Sequence, residues 1–455
     1  MKKISIIGMG YVGTAMATLI ASTKNVNKYK YFVTGIEQAS KNGQIITKKI
    51  NAGILPIEIN DGNFKKKFLY ASNKKKNLVC SNSVKDIKGS KIVIVSINCD
   101  LQNKLNSNVN LKSFLSSIKT IAMNIDEDAL MIVESTIPPG TCEKKIVPLI
   151  SNVFKKRKIK KKNILLAYTY ERVMPGDNYL NSIQNYWRVM SGINKESKLK
   201  CKNFLKEIIN TKEYPLTELD SIRACELGKI LENSYRSTNI AFIEEWSRFA
   251  EAMNVDIYKV IESIRLRPTH SNIRHPGFGV GGYCLTKDPL FGEYAAKKLW
   301  NIKNLKFPFS KQAMKVNDEM PLVTYNKIKT ILKNKIKNKK ILILGMSYKE
   351  NVGDLRSSPS IYFSNKCIEK NIKLFWHDPF VKIIPNKNLT RIDKVKNFSK
   401  FDLVLFAVKH NLYKKINFDK KLIKKTIIFD ANYVLTNKQL DQIKKNQINF
   451  YSIGR

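Results

Sequence analysis

Residues 4–13 read Ile-Ser-Ile-Ile-Gly-Met-Gly-Tyr-Val-Gly, and this run constrains the fold more than any other. A short β-branched strand runs into Gly8, Gly10 and Gly13, and an apolar helix-forming stretch follows from Thr14 to Ile20. In such a strand–turn–helix unit the first glycine makes the turn, the second lets backbone approach a pyrophosphate, and the third lets the helix pack on the strand. Tyr11 and Val12 complete the turn, where the first N–H groups of a helix favour an anion. The next strand, Tyr31–Ile36, ends at Glu37. An acid there accepts ribose hydroxyls and repels a 2′-phosphate, so NAD is expected rather than NADP. Lys2 and Lys3 before an apolar stretch also suggest a secretory leader, but glycines at dinucleotide spacing interrupt it.

A chain of 455 residues exceeds one ordinary core, so two or three domains are expected. Strand-like runs alternate with helical stretches through the first part, at Lys91–Val95, Leu130–Val133 and Ile164–Ala167. That alternation predicts a doubly wound α/β unit with a parallel sheet. Residues 219–253 hold no Pro and only Gly228, and read as one long helix. A second α/β pattern starts at Ile341–Gly345 and continues through Leu374–Trp376, Leu403–Ala407 and Ile427–Asp430, without a second GxGxxG. The expected architecture is α/β: two Rossmann-like doubly wound domains joined by a long central helix and a helical middle domain. The expected division is an NAD-binding domain at 1–200, a central helical domain for dimerisation and catalysis at 201–330, and a substrate-binding domain at 331–455. Lys349, Asp354 and Arg356 fall in the first loop of that last domain, which is read as binding a phosphate-bearing substrate.

The net charge of +44 invites a nucleic-acid reading. The lysines are spread over the whole chain, however, and the two clusters (155–162 and 333–340) lie just before strand-like runs, where solvated loops belong. No nucleic-acid partner is expected, and the positive field would help collect anionic substrates. No apolar run approaches the ~20 residues of a spanning helix, so no membrane partner is expected either. Seven cysteines without a CxxC pair, and four histidines without ligand spacing, predict a reducing cytoplasm and no metal site.

One cysteine stands apart. Residues 277–288 read Gly-Phe-Gly-Val-Gly-Gly-Tyr-Cys-Leu-Thr-Lys-Asp. A thiol in a glycine loop can meet a substrate carbon directly, and an acid four residues later can orient water or take a proton. On the long helix, Lys229 and Asn233 are four apart and share a face. A buried structural thiol and an exposed Lys–Asn pair are the plainer alternatives.

The chain resembles the UDP-glucose/GDP-mannose dehydrogenase family of nucleotide-sugar 6-dehydrogenases over nearly its whole length. The resemblance rests on GMGYVG at 8–13, ESTIPPGT at 134–141, ERVMPG at 171–176, ELGKILENSYRSTNIAF at 226–242, GVGGYCLTKDP at 279–289 and GMSYKENVGDLRSSPS at 345–360. It implies four-electron oxidation of a sugar C6 alcohol to the carboxylate, with two NAD reduced per sugar. Cys284 matches the nucleophile, which forms a thiohemiacetal and then a thioester. Lys229 and Asn233 match the residues that hold the oxyanion. Asp288 matches the acid that follows the cysteine, and Thr136 and Glu171 match residues that place water or act as base. Cofactor contacts are implied for Gly8, Gly10, Tyr11, Val12, Gly13, Glu37, Ser96, Thr136, Lys287 and Arg356. Substrate contacts are implied for Glu171, Arg172, Lys229, Asn233, Gly281, Gly282, Tyr348 and Lys349, and for either Arg267 or Arg274, one of which would reach a neighbouring subunit's substrate. A homodimer and a UDP-sugar are expected, with an N-acetylhexosamine favoured over glucose.

The chain departs from the family pattern at two places. Ser96-Ile97-Asn98-Cys99 stands where many members have Val-Pro-Thr-Pro, and Tyr170 stands where many have Pro. Two other functions compete: a two-electron hydroxyacid dehydrogenase using the helix Lys and Asn without a thiol, and a nucleotide or nucleic-acid binder without turnover.

Overall fold

The computed structural model describes all residues except 27, 161–162, 174–175, 387, 396 and 419–424. Lys161 and Lys162 of the basic cluster, and Met174 and Pro175 of ERVMPG, lie outside the described residues. The chain divides into two compact units, residues 1–232 with 290–306, and residues 233–289 with 307–455.

The first unit is built on an eight-stranded sheet. Its strands are β1 (Lys2–Ile7), β2 (Tyr31–Ile36), β3 (Leu78–Ser81), β4 (Ile92–Val95), β5 (Leu130–Val133), β6 (Leu166–Tyr170), β7 (Val189–Gly192) and β8 (Thr217–Glu218). They lie in the order β8-β7-β6-β5-β4-β1-β2-β3. Chain order reverses between β1 and β4, and the crevice at such a reversal, outside the carboxyl ends of the strands, is where α/β sheets bind ligands. Parallel strands covered on both faces are apolar on both sides. Accordingly Ile4, Ile6 and Ile94 enter one core, while Ile7, Val93 and Val95 enter the other.

Two details differ from the sequence expectation. β7 runs antiparallel to β6, Tyr168 opposite Ser191, so the sheet is mixed; an antiparallel neighbour needs no crossover over a face. The strand expected at 164–167 starts at Leu166 and extends to Tyr170. Tyr168 and Tyr170 are buried strand formers that a reading based on aliphatic residues passes over.

The second unit carries a six-stranded sheet, parallel throughout. Its strands are β9 (Lys340–Leu344), β10 (Lys373–His377), β11 (Thr390–Arg391), β12 (Leu403–Phe406), β13 (Ile427–Asp430) and β14 (Phe450–Ser452), in the order β11-β10-β9-β12-β13-β14. Counted within each unit, both sheets share the order 3-2-1-4-5-6 of the Rossmann architecture. The helix α1 (Tyr11–Ser22) follows β1. The long helix α2 spans Ile222–Ala252, and the division between the units falls within it.

Candidate active site

In the first unit, backbone geometry forces the glycines of the opening turn. Gly8 has φ +90°, and a Cβ there would lie 2.6 Å from the carbonyl oxygen of Ser96. A Cβ on Gly13 would lie 1.8 Å from the carbonyl oxygen of Gly8. Gly10 faces open space, and as N-cap of α1 it supplies no capping side chain. A cavity of about 640 Å³ opens here, lined by Gly8, Gly10, Glu37, Gln38, Asn82 and Ser96 among others. Glu37 accepts a hydrogen bond from the Met9 amide, and the Asn82 amide donates to the Gln38 carbonyl at 3.0 Å. The volume, the glycine cradle and the acid at the end of β2 fit the ADP portion of a dinucleotide. Gln38 and Asn82 were not anticipated. The signal for Asn82 was its place just past β3, at the carboxyl edge of the sheet.

The loop after β5 carries Thr136, half-buried between fixed neighbours. Glu134 pairs with Arg188 at 2.6 Å, both buried, and Ser135 Oγ accepts the Ile97 amide at 3.0 Å. Burial pushes the Glu134 carboxyl up, against the pull of Arg188. Farther on, Lys229 Nζ donates to the Glu171 carbonyl at 2.8 Å and lies 3.9 Å from its carboxylate. Arg172 pairs with Glu232 at 3.1 Å. Tyr170, where the chain departs from the family pattern, lies beneath two cations: Lys229 and Arg172 are each 5.4 Å from its ring centre. Thus Arg172 and Lys229 gather over one aromatic ring, and Lys229 holds Glu171 beside it.

Cys284, in the second unit, is the one exposed cysteine of the chain's seven, all of which are among the described residues. The other six are buried, and burial pushes the Cys80 thiol up to about 11 and the Cys225 thiol up to about 12. The cysteine loop folds tightly against the loop after β9. A Cβ on Gly281 or Gly282 would lie 2.6 or 2.7 Å from the Tyr348 side chain, and the Gly282 amide donates to the Arg356 carbonyl at 2.9 Å. Asp288 is fully buried. Its carboxylate accepts from Asn233 Nδ2 at 2.7 Å and from Lys287 Nζ at 2.6 Å, which answers the cost of burying the charge. Lys287 also sits 4.4 Å from the centre of the Tyr283 ring. Arg356 binds the Asp354 carboxylate through two nitrogens. Burial and the neighbouring Asp354 raise the Tyr348 hydroxyl to about 12.

Lys229 and Asn233 therefore have different partners, Glu171 and Asp288, although the helix places them one turn apart. Arg267 and Arg274 are both exposed. Arg274 is tied by its amide to Asn239 at 3.0 Å, and burial with the charges of Arg236 and Arg265 pulls its own value down. Arg236 was not anticipated; it lies three residues after Asn233, on the same helical face. Lys349 is half-buried. Among the described residues no group of three or more His, Cys, Asp and Glu is placed to hold a metal ion. No described helix is long and apolar enough to cross a membrane.

Three segments of the chain match the domains of one known family. Residues 2–211 match the NAD binding domain of the UDP-glucose/GDP-mannose dehydrogenase family, 223–319 its central domain, and 342–437 its UDP binding domain. The chain belongs to that family. This dehydrogenase is 30% identical to a UDP-N-acetyl-D-mannosamine dehydrogenase of Methanococcus vannielii, over 96% of this chain and 94% of the relative. It is 25% identical to a UDP-glucose 6-dehydrogenase of Rickettsia bellii, over 99% of both chains. Among solved structures, a UDP-D-ManNAc dehydrogenase from Pyrococcus horikoshii superposes with a TM-score of 0.81 at 25% identity, covering 100% of this chain and 99% of that one. The dehydrogenase is thus an NAD-dependent oxidoreductase carrying the family's NAD-binding and UDP-binding domains.

Proposed function

We propose that the enzyme oxidises C6 of a UDP-N-acetylhexosamine, UDP-N-acetyl-D-mannosamine foremost, to the uronic acid, releasing two NADH per sugar. The observation that carries this reading is the exposed Cys284 in its glycine loop, beside an Asp288 clamped by Asn233 and Lys287. The choice of sugar is supported by the relatives at up to 30% identity, which bear that name.

NAD, when bound at Gly8, Gly10, Gly13 and Glu37, supplies the hydride acceptor for both oxidations. Tyr11, Val12, Ser96 and Thr136, and further along the chain Lys287 and Arg356, are assigned to its surroundings. The remaining chemistry is assigned to this chain's own residues. Cys284 Sγ adds to the C6 aldehyde, and the Lys229 ammonium and Asn233 amide stabilise the oxygen that becomes negative. The second oxidation leaves C6 as a thioester, and a thiolate is a good leaving group from an acyl carbon. Water then attacks with Asp288, Thr136 and Glu171 placing it and taking its proton, and the acid and the Cys284 thiol are released. Tyr348, Lys349, Arg172, Gly281 and Gly282, with Arg267 or Arg274, bind the nucleotide sugar.

The protein is further read as a cytoplasmic homodimer that supplies uronic acids for surface polysaccharide. A cytoplasmic setting suits a thiol nucleophile that must stay reduced. Dimerisation is supported by an exposed row along α2, Leu227, Leu231, Tyr235, Phe242, Trp246 and Phe249, spaced to share one face. Sedimentation checks it: a monomer at micromolar concentration removes the dimer.

Incubating the protein with NAD and a panel of UDP- and GDP-sugars, with NADH counted and product mass recorded, tests the activity. No NADH with any sugar refutes it, one NADH per sugar favours the two-electron reading, and UDP-glucose as sole substrate corrects the sugar. Cys284→Ala should abolish acid formation; undiminished acid output takes the thiol out of the mechanism.

A further inference from the structure

Glu226 lies three residues before Lys229 on α2 and is fully buried. Its carboxylate accepts the backbone N–H of Gly140 at 2.5 Å and of Cys142 at 2.8 Å. These amides open the helical stretch that runs on to Lys156, and without an acceptor they would be orphan donors. They also end the 134–141 loop, which carries Thr136. The loop has other anchors: Arg188 on Glu134, Ser135 Oγ on the Val95 carbonyl, and Trp300 Nε1, which donates to the Pro139 carbonyl at 2.9 Å. None of these three comes from α2. Glu226 does, and nearer the surface Arg223 of the same helix pairs with Glu143, one residue past Cys142, at 3.4 Å.

We propose that Glu226 is a positioning residue, tying the 134–141 loop to the turn of α2 that carries Lys229, so that Thr136 and Lys229 keep one geometry through turnover. This rests on the reading above of Thr136 and Lys229 as site residues.

The electrostatics separate positioning from mere stability. Burial raises the Glu226 carboxyl to about 7, with the Cys142 and Gly140 amides pulling against it. The groups facing it are the Cys142 thiol and the Glu143 carboxylate from the loop side and the Cys225 thiol from its own helix; Glu143 itself pairs with Arg223 at 3.4 Å. An acid whose folded value is raised contributes stability below the ordinary carboxylate range and loses it as pH rises through the folded value. The fold is therefore less stable when Glu226 is charged. Only the charged form, however, offers an acceptor to both amides, because a protonated carboxyl turns one oxygen into a donor facing an N–H. Stability and the double tether thus respond to pH in opposite senses.

Glu226→Gln, with a single acceptor at every pH, is the discriminating variant. At pH 8 its kcat should fall about tenfold, the order expected for one charge-assisted hydrogen bond, with KM for NAD unchanged and a melting temperature equal to or above that of the wild type. The wild-type kcat should decline below pH 7, and the variant should lack that limb. Wild-type kcat and profile in the variant overturn the proposal, as does a fall in kcat matched by a fall in melting temperature. If the variant does not accumulate folded, a wild-type kcat that stays level from pH 8 to 6 overturns it. A wild type that reduces NAD with no sugar refutes the functional reading instead. In that case amide hydrogen exchange still decides: it should quicken at residues 140–142 in the variant, and unchanged exchange there sinks the tether.

Discussion

The two sheets of this protein share one strand order, yet the turn after the first strand is used differently in each. In the first unit β1 leads to Gly8, Gly10 and Gly13, the acid after β2 is Glu37, and a cavity of about 640 Å³ opens beside them. In the second unit β9 leads to Gly345, and the acid after β10 is Asp378. That acid is consumed internally. It accepts the Met346 and Ser347 amides at 2.7 and 3.0 Å, the Phe380 amide at 2.8 Å, and His410 Nε2 at 3.1 Å. His410 Nδ1 in turn accepts the Asn351 amide at 2.9 Å, which leaves Nε2 to donate to Asp378. The same topological position thus presents a carboxylate beside a cavity in one unit and stiffens the loop bearing Tyr348, Lys349 and Arg356 in the other. One strand order can support either use, because function resides in the turn and not in the sheet.

Three substitutions would break or sharpen this contrast. The largest effect is expected from Gly13→Ala, whose methyl meets the Gly8 carbonyl. NAD affinity should fall at least roughly 100-fold, from an overpacking cost on the order of 3 kcal/mol, while UDP binding persists. Calorimetric titration with each ligand checks this, and unaltered NAD binding would end the argument for a steric role of that glycine.

Next is Asp378→Asn. The amide keeps one acceptor oxygen but turns its NH₂ toward backbone donors, so the second unit should lose about 2–3 kcal/mol. KM for the nucleotide sugar should rise, and NAD affinity should not change. The pH response supplies a second reading. Burial pushes the Asp378 carboxyl up, but His410 and the backbone amides outweigh it and hold it below the ordinary range. A lowered carboxylate contributes stability above its unfolded value and loses it as pH falls through the folded one. Acid should therefore melt the wild type faster than the variant; parallel acid curves would mean that the network carries no such weight.

The smallest change is Glu37→Ala, which should weaken NAD about tenfold and narrow its advantage over NADP. An unchanged cofactor preference would show that Gln38 and Asn82, not the acid, set the choice.

Much of the fold was legible in advance. The glycine spacing located β1 and α1, a long run with no Pro and a single Gly located α2, and apolar runs located β9, β10, β12 and β13. Strand limits were read less well where aromatic residues extended them, as at Tyr168 and Tyr170, and no local pattern told that β7 would turn antiparallel. Motif position named Asp288 and Asn233 as candidates, but did not reveal that they are hydrogen-bonded to each other. Arg236 stood within the 226–242 motif without being singled out, and Gln38 and Asn82 carried no motif at all.

What the residue order determined by itself is whatever a short window encodes: a turn only glycine can make, an apolar period, a thiol set among glycines. The tertiary structure alone decided the partners, which stand 84 residues apart for Glu226 and Cys142, 55 for Asn233 and Asp288, and 32 for His410 and Asp378. A buried carboxylate must find donors somewhere in the fold, and that requirement leaves no periodic trace along the chain because it is met only when distant segments pack.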